Sequence, residues 1–268
     1  MTGRPHASFP KTPWRWAVAG AFAGVLLAVA LGAPARWLGS AVAQISGQRL
    51  QLQDARGTVW SGSARWVLTG GAGSRDASAL PDRWHWRWHW QGLGPGLSLS
   101  SPCCTSTPLR WQIQRQDGHW QLALQDQQSR WPLAVLSGLG APWNTLQAQG
   151  QLVWQSTGLR LRWTDQGLLW LGHNSLQIDG LSSRLSTLQP MGSYRITLQS
   201  PPEGSRQPAL TLETLSGPLQ LSGRGQWTGQ RLRFEGEARA EAGYEDALSN
   251  LLNIIGRRDG ARSRLSIG

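Results

Sequence analysis

From Leu50 onward, polar and apolar residues alternate with a period of two, the spacing that lets a strand turn one face to a core. The pattern is clearest in WQIQRQDGHWQLALQ, beginning at Trp111. Asp117-Gly118 supplies the two positive-φ positions that a type I′ turn requires. Folding about that pair sets Arg115 against Trp120, Ile113 against Leu122 and Trp111 against Leu124, while Gln112, Gln114 and Gln121 fall on the other face. A slip of one residue would destroy the sorting, so the register is specified by the side chains themselves.

Similar hairpins are expected further on. Leu152 and Trp154, a turn near Ser156-Thr157-Gly158, then Leu159, Leu161 and Trp163 make one. Leu219, Leu221 and Trp227, a turn at Thr228-Gly229, then Leu232 and Phe234 make another. Further strands are read from Ser175 to Ile178, Tyr194 to Leu198 and Ala209 to Leu212, and the stretch from Gly92 to Pro108 reads as a loop. One segment changes period. Glu245 to Ile255 places Leu248, Leu251, Leu252 and Ile255 at helical spacing, with acids in the first turn, Gly256 closing it and Arg257 and Arg258 following. RSRLSIG then suits a short last strand. The expected class is mainly β: an antiparallel domain, curved or sandwich-like, with one short C-terminal amphipathic helix.

Ahead of this body lies AVAGAFAGVLLAVALGA, from Ala17 to Ala33, without a charge and bracketed by Trp14, Trp16 and Trp37. As a helix it would measure roughly 26 Å, near the ~30 Å of a bilayer's hydrocarbon core. Pro34 stops it, and the indoles sit where an aromatic belt would hold them. Arg4, Lys11 and Arg15 precede the run, and Arg36, Arg49 and Arg56 follow it. The expected organisation is a cytoplasmic tail over residues 1–16, an uncleaved transmembrane signal anchor over 17–37, and a periplasmic β-rich domain over 38–268. A cleaved signal peptide ending at Ala33-Pro34-Ala35 is the competing reading. The length of the apolar run and the proline inside the site argue against it.

The net charge is +11, and every basic side chain except Lys11 is arginine. The arginines are scattered singly through the strands rather than gathered on one face, which argues against a nucleic-acid partner and leaves attraction to anionic lipid head groups open. Cys103 and Cys104 are the only cysteines and are adjacent, so they neither staple distant segments nor match a metal spacing. Two readings remain for them, incidental thiols or a vicinal disulfide.

No converging set of acids, bases or ligands marks a catalytic centre, and neither a cofactor nor a metal site is expected. His119 and His173 read as turn residues. His85 and His89 lie four apart on a strand, about 13 Å, too far to share an ion. The most unusual run is WHWRWHW, which points Trp84, Trp86, Trp88 and Trp90 one way and His85, Arg87 and His89 the other. That row is either core or an aromatic groove for a partner or an acyl chain.

Four features together resemble the type II secretion system protein N family. They are the basic tail with its single span; LQLQDARGTVWSGSARW, whose Gly57, Thr58, Val59, Trp60 and Gly62 match a G-T-V-W-x-G hallmark; SGPLQLSGRGQWTGQRLRFEGEARA; and LSNLLNIIGRRDGARSRLSIG. The resemblance implies a single-pass inner-membrane accessory protein, without enzymatic residues, that positions or bridges other secretion components of the inner-membrane platform or the secretin. The G-T-V-W-x-G opening is also similar to periplasmic proteins of the AsmA type, which implies lipid binding or transfer as the alternative. The tryptophan-histidine run and Cys103-Cys104 depart from the family pattern.

Overall fold

Hairpin pairing carried along the whole chain produces one open antiparallel sheet. The computed structural model describes residues 14–92, 94–165, 167–199, 208–228, 231–260 and 262–267. Two helices come first, α1 (Trp14–Gly32) and α2 (Ala35–Ile45). The sheet then opens with β1 (Leu50–Gly57), β2 (Ser61–Thr69), β3 (Ala77–Gln91), β4 (Gly94–Ser100), β5 (Leu109–Gln116), β6 (His119–Leu124) and β7 (Gln127–Pro132). A 3-10 helix (Leu133–Leu139) and α3 (Trp143–Leu146) interrupt it before β8 (Gln149–Thr164), β9 (Gly167–Ser182), β10 (Gly192–Gln199), β11 (Ala209–Ser216), β12 (Leu219–Thr228) and β13 (Arg231–Ala240). After α4 (Glu245–Ile255) come β14 (Arg257–Asp259) and β15 (Arg262–Ile267). Neighbours in the sheet are neighbours in the chain, with two exceptions. β6 and β7 both pair with β8, and β15 lies between β13 and β14.

The Asp117-Gly118 hairpin has the register expected from its side chains, Arg115 opposite Trp120, Ile113 opposite Leu122 and Trp111 opposite Leu124. Both turn residues have positive φ, 52° and 80°. The hairpin of β12 and β13 sets Trp227 opposite Leu232, while the Gly229 of its expected turn lies outside the described residues. Three expectations fail. Ser156-Thr157-Gly158 is not a turn but a bulge inside the single long strand β8, where the register against β9 shifts between Thr157 and Arg160. Gly158 has the positive φ of a turn glycine, 63°, and its N–H is held by Asp126 Oδ1 at 2.7 Å. The stretch read as a loop from Gly92 contains β4, paired on both sides, which leaves residues 92–93 and 101–108 to connect strands. His173 likewise lies within β9 rather than at a turn.

Cross-strand partners share a face, so the register sorts the whole sheet into two. One face is apolar: Trp88, Leu97, Trp111 and Leu124 follow one another across four strands, and Ile113, Leu122, Leu161 and Trp170 form the next row. The other carries Arg87, Ser98 and Arg110 in one row and Gln177, Arg195 and Glu213 in another.

The two ends of the strands also differ. The chain reverses between β1 and β2, β3 and β4, β5 and β6, and β8 and β9 at the near end, where α1 arrives. Apart from α2, which lies along β1, the covering elements belong to the far end: residues 101–108, the 3-10 helix, α3, the segment between β9 and β10, and α4. There the apolar face is closed. Leu80, Trp84, Leu109, Leu124, Val135 and Leu159 form one buried cluster with Cys104, which is disulfide-bonded to Cys103. Leu248, Leu251 and Leu252 of α4 close a second over Met191, Tyr194 and Leu219. Burying a leucine in this way is worth about 1.5–3 kcal/mol. The Tyr194 hydroxyl donates to the Leu219 carbonyl at 2.9 Å, and burial pushes the phenol well above its ordinary value. Gly256 follows α4 as expected but in extended backbone; a Cβ there would meet the Arg264 carbonyl at 2.4 Å.

Candidate junction site

The chain between β1 and β2 turns over Thr58-Val59-Trp60, and the residues around it explain why. Gly57 has φ of 87°, and a Cβ on it would lie 2.5 Å from the Ser61 carbonyl oxygen, so the tight reversal admits only glycine there. The Thr58 N–H donates to the Ser61 carbonyl at 2.9 Å, and the Thr58 hydroxyl oxygen accepts from the Trp60 and Ser61 N–H groups at 3.3 and 3.2 Å. The turn is therefore held by its own short residues.

The tryptophan row meets this turn. Trp86 Nε1–H donates to the Thr58 and Val59 carbonyls, both at 3.1 Å, and its ring is buried against Ala35 and Ala64. Gly62 sits opposite Trp86 across β2 and β3, and a Cβ at Gly62 would lie 2.6 Å from the indole and 2.4 Å from the Arg56 carbonyl. The Trp88 N–H donates to the Trp60 carbonyl at 2.8 Å. The two sets of residues singled out in the sequence are thus one unit, with Gly57 to Gly62 as the bent loop and Trp86 and Trp88 as its support.

That unit also receives α1. The Val59 N–H donates to the Ala33 carbonyl at 2.9 Å, Thr58 bridges to Pro34, and Trp60 Nε1–H donates to the Ala30 carbonyl in the last turn of α1 at 2.7 Å. Ala30 is one of the four C-terminal carbonyls that a helix cannot satisfy internally. α1 is long and apolar enough to cross a membrane, about 28 Å for its 19 residues, and none of it is buried in the protein. Arg15 stands in its first turn; Arg4 and Lys11 lie outside the described residues. α2 was not expected from the alternation. It lays Ala35 and Leu38 over the β1–β2 corner, and Gly39 approaches the Leu52 backbone. Its outward side carries Trp37, Ala41 and Ile45, the last 89 % exposed.

Along β3 the four indoles part company. Trp84 is stacked between Trp66, at 4.5 Å, and Trp131, at 4.8 Å, and is fully buried. Trp86 packs under the turn, Trp88 is partly exposed and Trp90 is 78 % exposed. On the opposite face, Arg83 Nη1 reaches Asp54 Oδ2 at 2.5 Å, and Arg56 Nη2 reaches the same oxygen at 3.0 Å. These hydrogen bonds, from Arg83 first and Arg56 second, hold the Asp54 carboxyl below its ordinary value. Among the described residues no group of histidine, cysteine and acidic side chains converges on a common point where a metal could sit. The arrangement supplies attachment, with hydrogen bonds, close packing and exposed indoles around a helix exit.

No curated protein and no solved structure matches the chain. Residues 48–265 match the family described as type II secretion system (T2SS), protein N, a span that takes in the turn, its supporting tryptophans and the sheet from β1 into β15. The chain belongs to the type II secretion system protein N family.

Proposed function

We propose that this member of the family is a non-catalytic, single-span accessory component of the type II secretion system. Residues 1–16 lie in the cytoplasm, 17–37 anchor the chain in the inner membrane, and 38–268 stand in the periplasm. There the sheet positions or bridges other components, the inner-membrane platform or the secretin, during export of folded proteins across the outer membrane. The observation that carries the reading is the hydrogen-bonded joint between α1 and the Gly57–Gly62 loop. A body fastened this way to its anchor transmits the anchor's position to whatever it holds.

Deletion should leave inner-membrane translocation intact while folded exoproteins accumulate in the periplasm. A reporter fused after Gly268 should be active only when exported, and the chain should resist alkaline carbonate extraction. A second reading, binding of lipid, draws on the exposed near end of the apolar face, with Trp88, Trp90, Trp120, Trp163 and Leu168. Normal secretion by the deletion strain together with altered outer-membrane lipid would favour it over the first.

A further inference from the structure

On the polar face beside the junction, β1 to β4 form an open groove of about 540 Å³. Its floor is made of two cross-strand rows in which nitrogen-bearing side chains alternate with hydroxyls. Ser61, Arg87 and Ser98 stand side by side in one, and Arg56, Ser63 and His85 in the other. Partners in such rows are about 4.5–5.5 Å apart, which puts an arginine and two hydroxyls within reach of one tetrahedral anion.

The charges do not balance. Asp54 is the acidic side chain paired here, and it serves both Arg56 and Arg83. Among the described residues Arg87 has no acidic partner. A guanidinium left beside serine hydroxyls is suited to a phosphodiester, which accepts two parallel N–H bonds.

Position identifies the source of the phosphate. Gly57 and Ser61, which line the groove, flank the loop that holds the last turn of α1. Trp60, between them in the chain, and Trp37, three residues after the Pro34 that bridges to Thr58, expose apolar surface outward, as residues at a membrane boundary do. We infer that the Arg56–His85–Arg87 groove binds the head-group phosphate of an anionic phospholipid in the membrane that α1 spans. The inference rests on the anchored reading above. It gives the body a second hold on the bilayer, one that fixes the rotation of the sheet about the axis of its anchor.

The test uses the full chain, purified in mild detergent with mixed phosphatidylglycerol and phosphatidylcholine and then washed. Retained lipids are measured by mass spectrometry. Wild type should keep phosphatidylglycerol several-fold over phosphatidylcholine. Arg56→Gln combined with Arg87→Gln should bring the ratio to near parity, whereas Arg160→Gln with Arg233→Gln, far from the groove, should not. Circular dichroism of each variant confirms an intact sheet. Equal retention of both lipids by wild type, or an unchanged ratio in the Arg56, Arg87 variant, overturns the assignment. Loss of retention when inorganic phosphate is added at modest ionic strength, but not with chloride, makes soluble phosphate the ligand and overturns it too. Membrane partition is scored separately. A shortened, soluble chain defeats the anchored reading and the head-group assignment with it, while an anchored chain without lipid preference defeats the groove alone.

Discussion

Trp84 and Trp90 lie on the same strand and the same face, six residues apart, about 20 Å. At the far end Trp84 is sandwiched between two other indoles beneath the 3-10 helix and its neighbours. At the near end Trp90 stands 78 % exposed, with Trp120, Trp163 and Leu168 also exposed across the neighbouring hairpins. The alternation that builds the sheet continues through both. What differs is the cover: connections fold back over Trp84 at the far end, while beside Trp90, Trp120 and Trp163 the chain reverses within two residues. The same pattern of residues therefore makes a core where a connection folds back and an accessible apolar strip where none does. Packing and exposure are in this way assigned to opposite ends of the same strands.

The contrast can be broken most directly by removing one indole at each end. Trp84→Ala should cost about 3–5 kcal/mol in urea unfolding, the range for emptying a packed aromatic site. Trp90→Ala should stay within about 0.5 kcal/mol. Comparable losses at the two positions would mean that the near end is closed as well.

The junction gives a sharper test, because there the near end is tightly packed. Gly62→Ala pushes a methyl group into the Trp86 indole and the Arg56 carbonyl and should cost about 1–3 kcal/mol. Its second signature is faster proteolysis around Pro34, as the loop lets go of α1. Trp60→Phe keeps a ring but deletes the donor to the Ala30 carbonyl; the expected loss is about 0.5–1.5 kcal/mol, with faster hydrogen exchange confined to residues 30–34 and 58–61. Exchange spreading to β8 and β9 would show that the joint and the sheet are not separable.

The smallest effect is electrostatic. Asp54 has its carboxyl lowered from 3.8 by Arg83 and Arg56, so its contribution is present above that ordinary value and lost as the pH falls through the lowered one. Asp54→Asn should be slightly less stable than wild type near neutrality, and the two should converge in acid. A gap that persists in acid would locate the effect in geometry rather than in charge.

Much of this architecture is legible in the alternation alone. The Asp117-Gly118 hairpin and the helix from Glu245 follow from local period and turn chemistry. The error at Thr157-Gly158 has a physical origin: a bulge and a turn both call for a positive-φ glycine, and only the partner strand decides between them. β4 was hidden because Gly94, Pro95 and Gly96 read as a loop, although their backbone pairs with Trp90 and its neighbours. The junction was legible as two separate motifs. Nothing in the spacing of Gly57–Gly62 announces that Trp86 would lie beneath it, or that an indole would reach 30 residues back to the Ala30 carbonyl. Those contacts are long-range, and periodicity carries only local information.

The order in which the chain becomes available follows from this topology. Every partner in the junction, from the Ala30 carbonyl to Trp88 and the Leu97 and Leu99 that pack against Trp86, lies before Ser100. Sequence-adjacent hairpins close short loops, so each costs little entropy to form and none before the skip from β6 to β8 needs a residue yet to be made. A chain emerging from its N-terminus can fasten α1 to the first four strands while the rest is still being synthesised. Each later hairpin then has a finished edge to add to, and α4, among the last elements to arrive, closes a face already assembled.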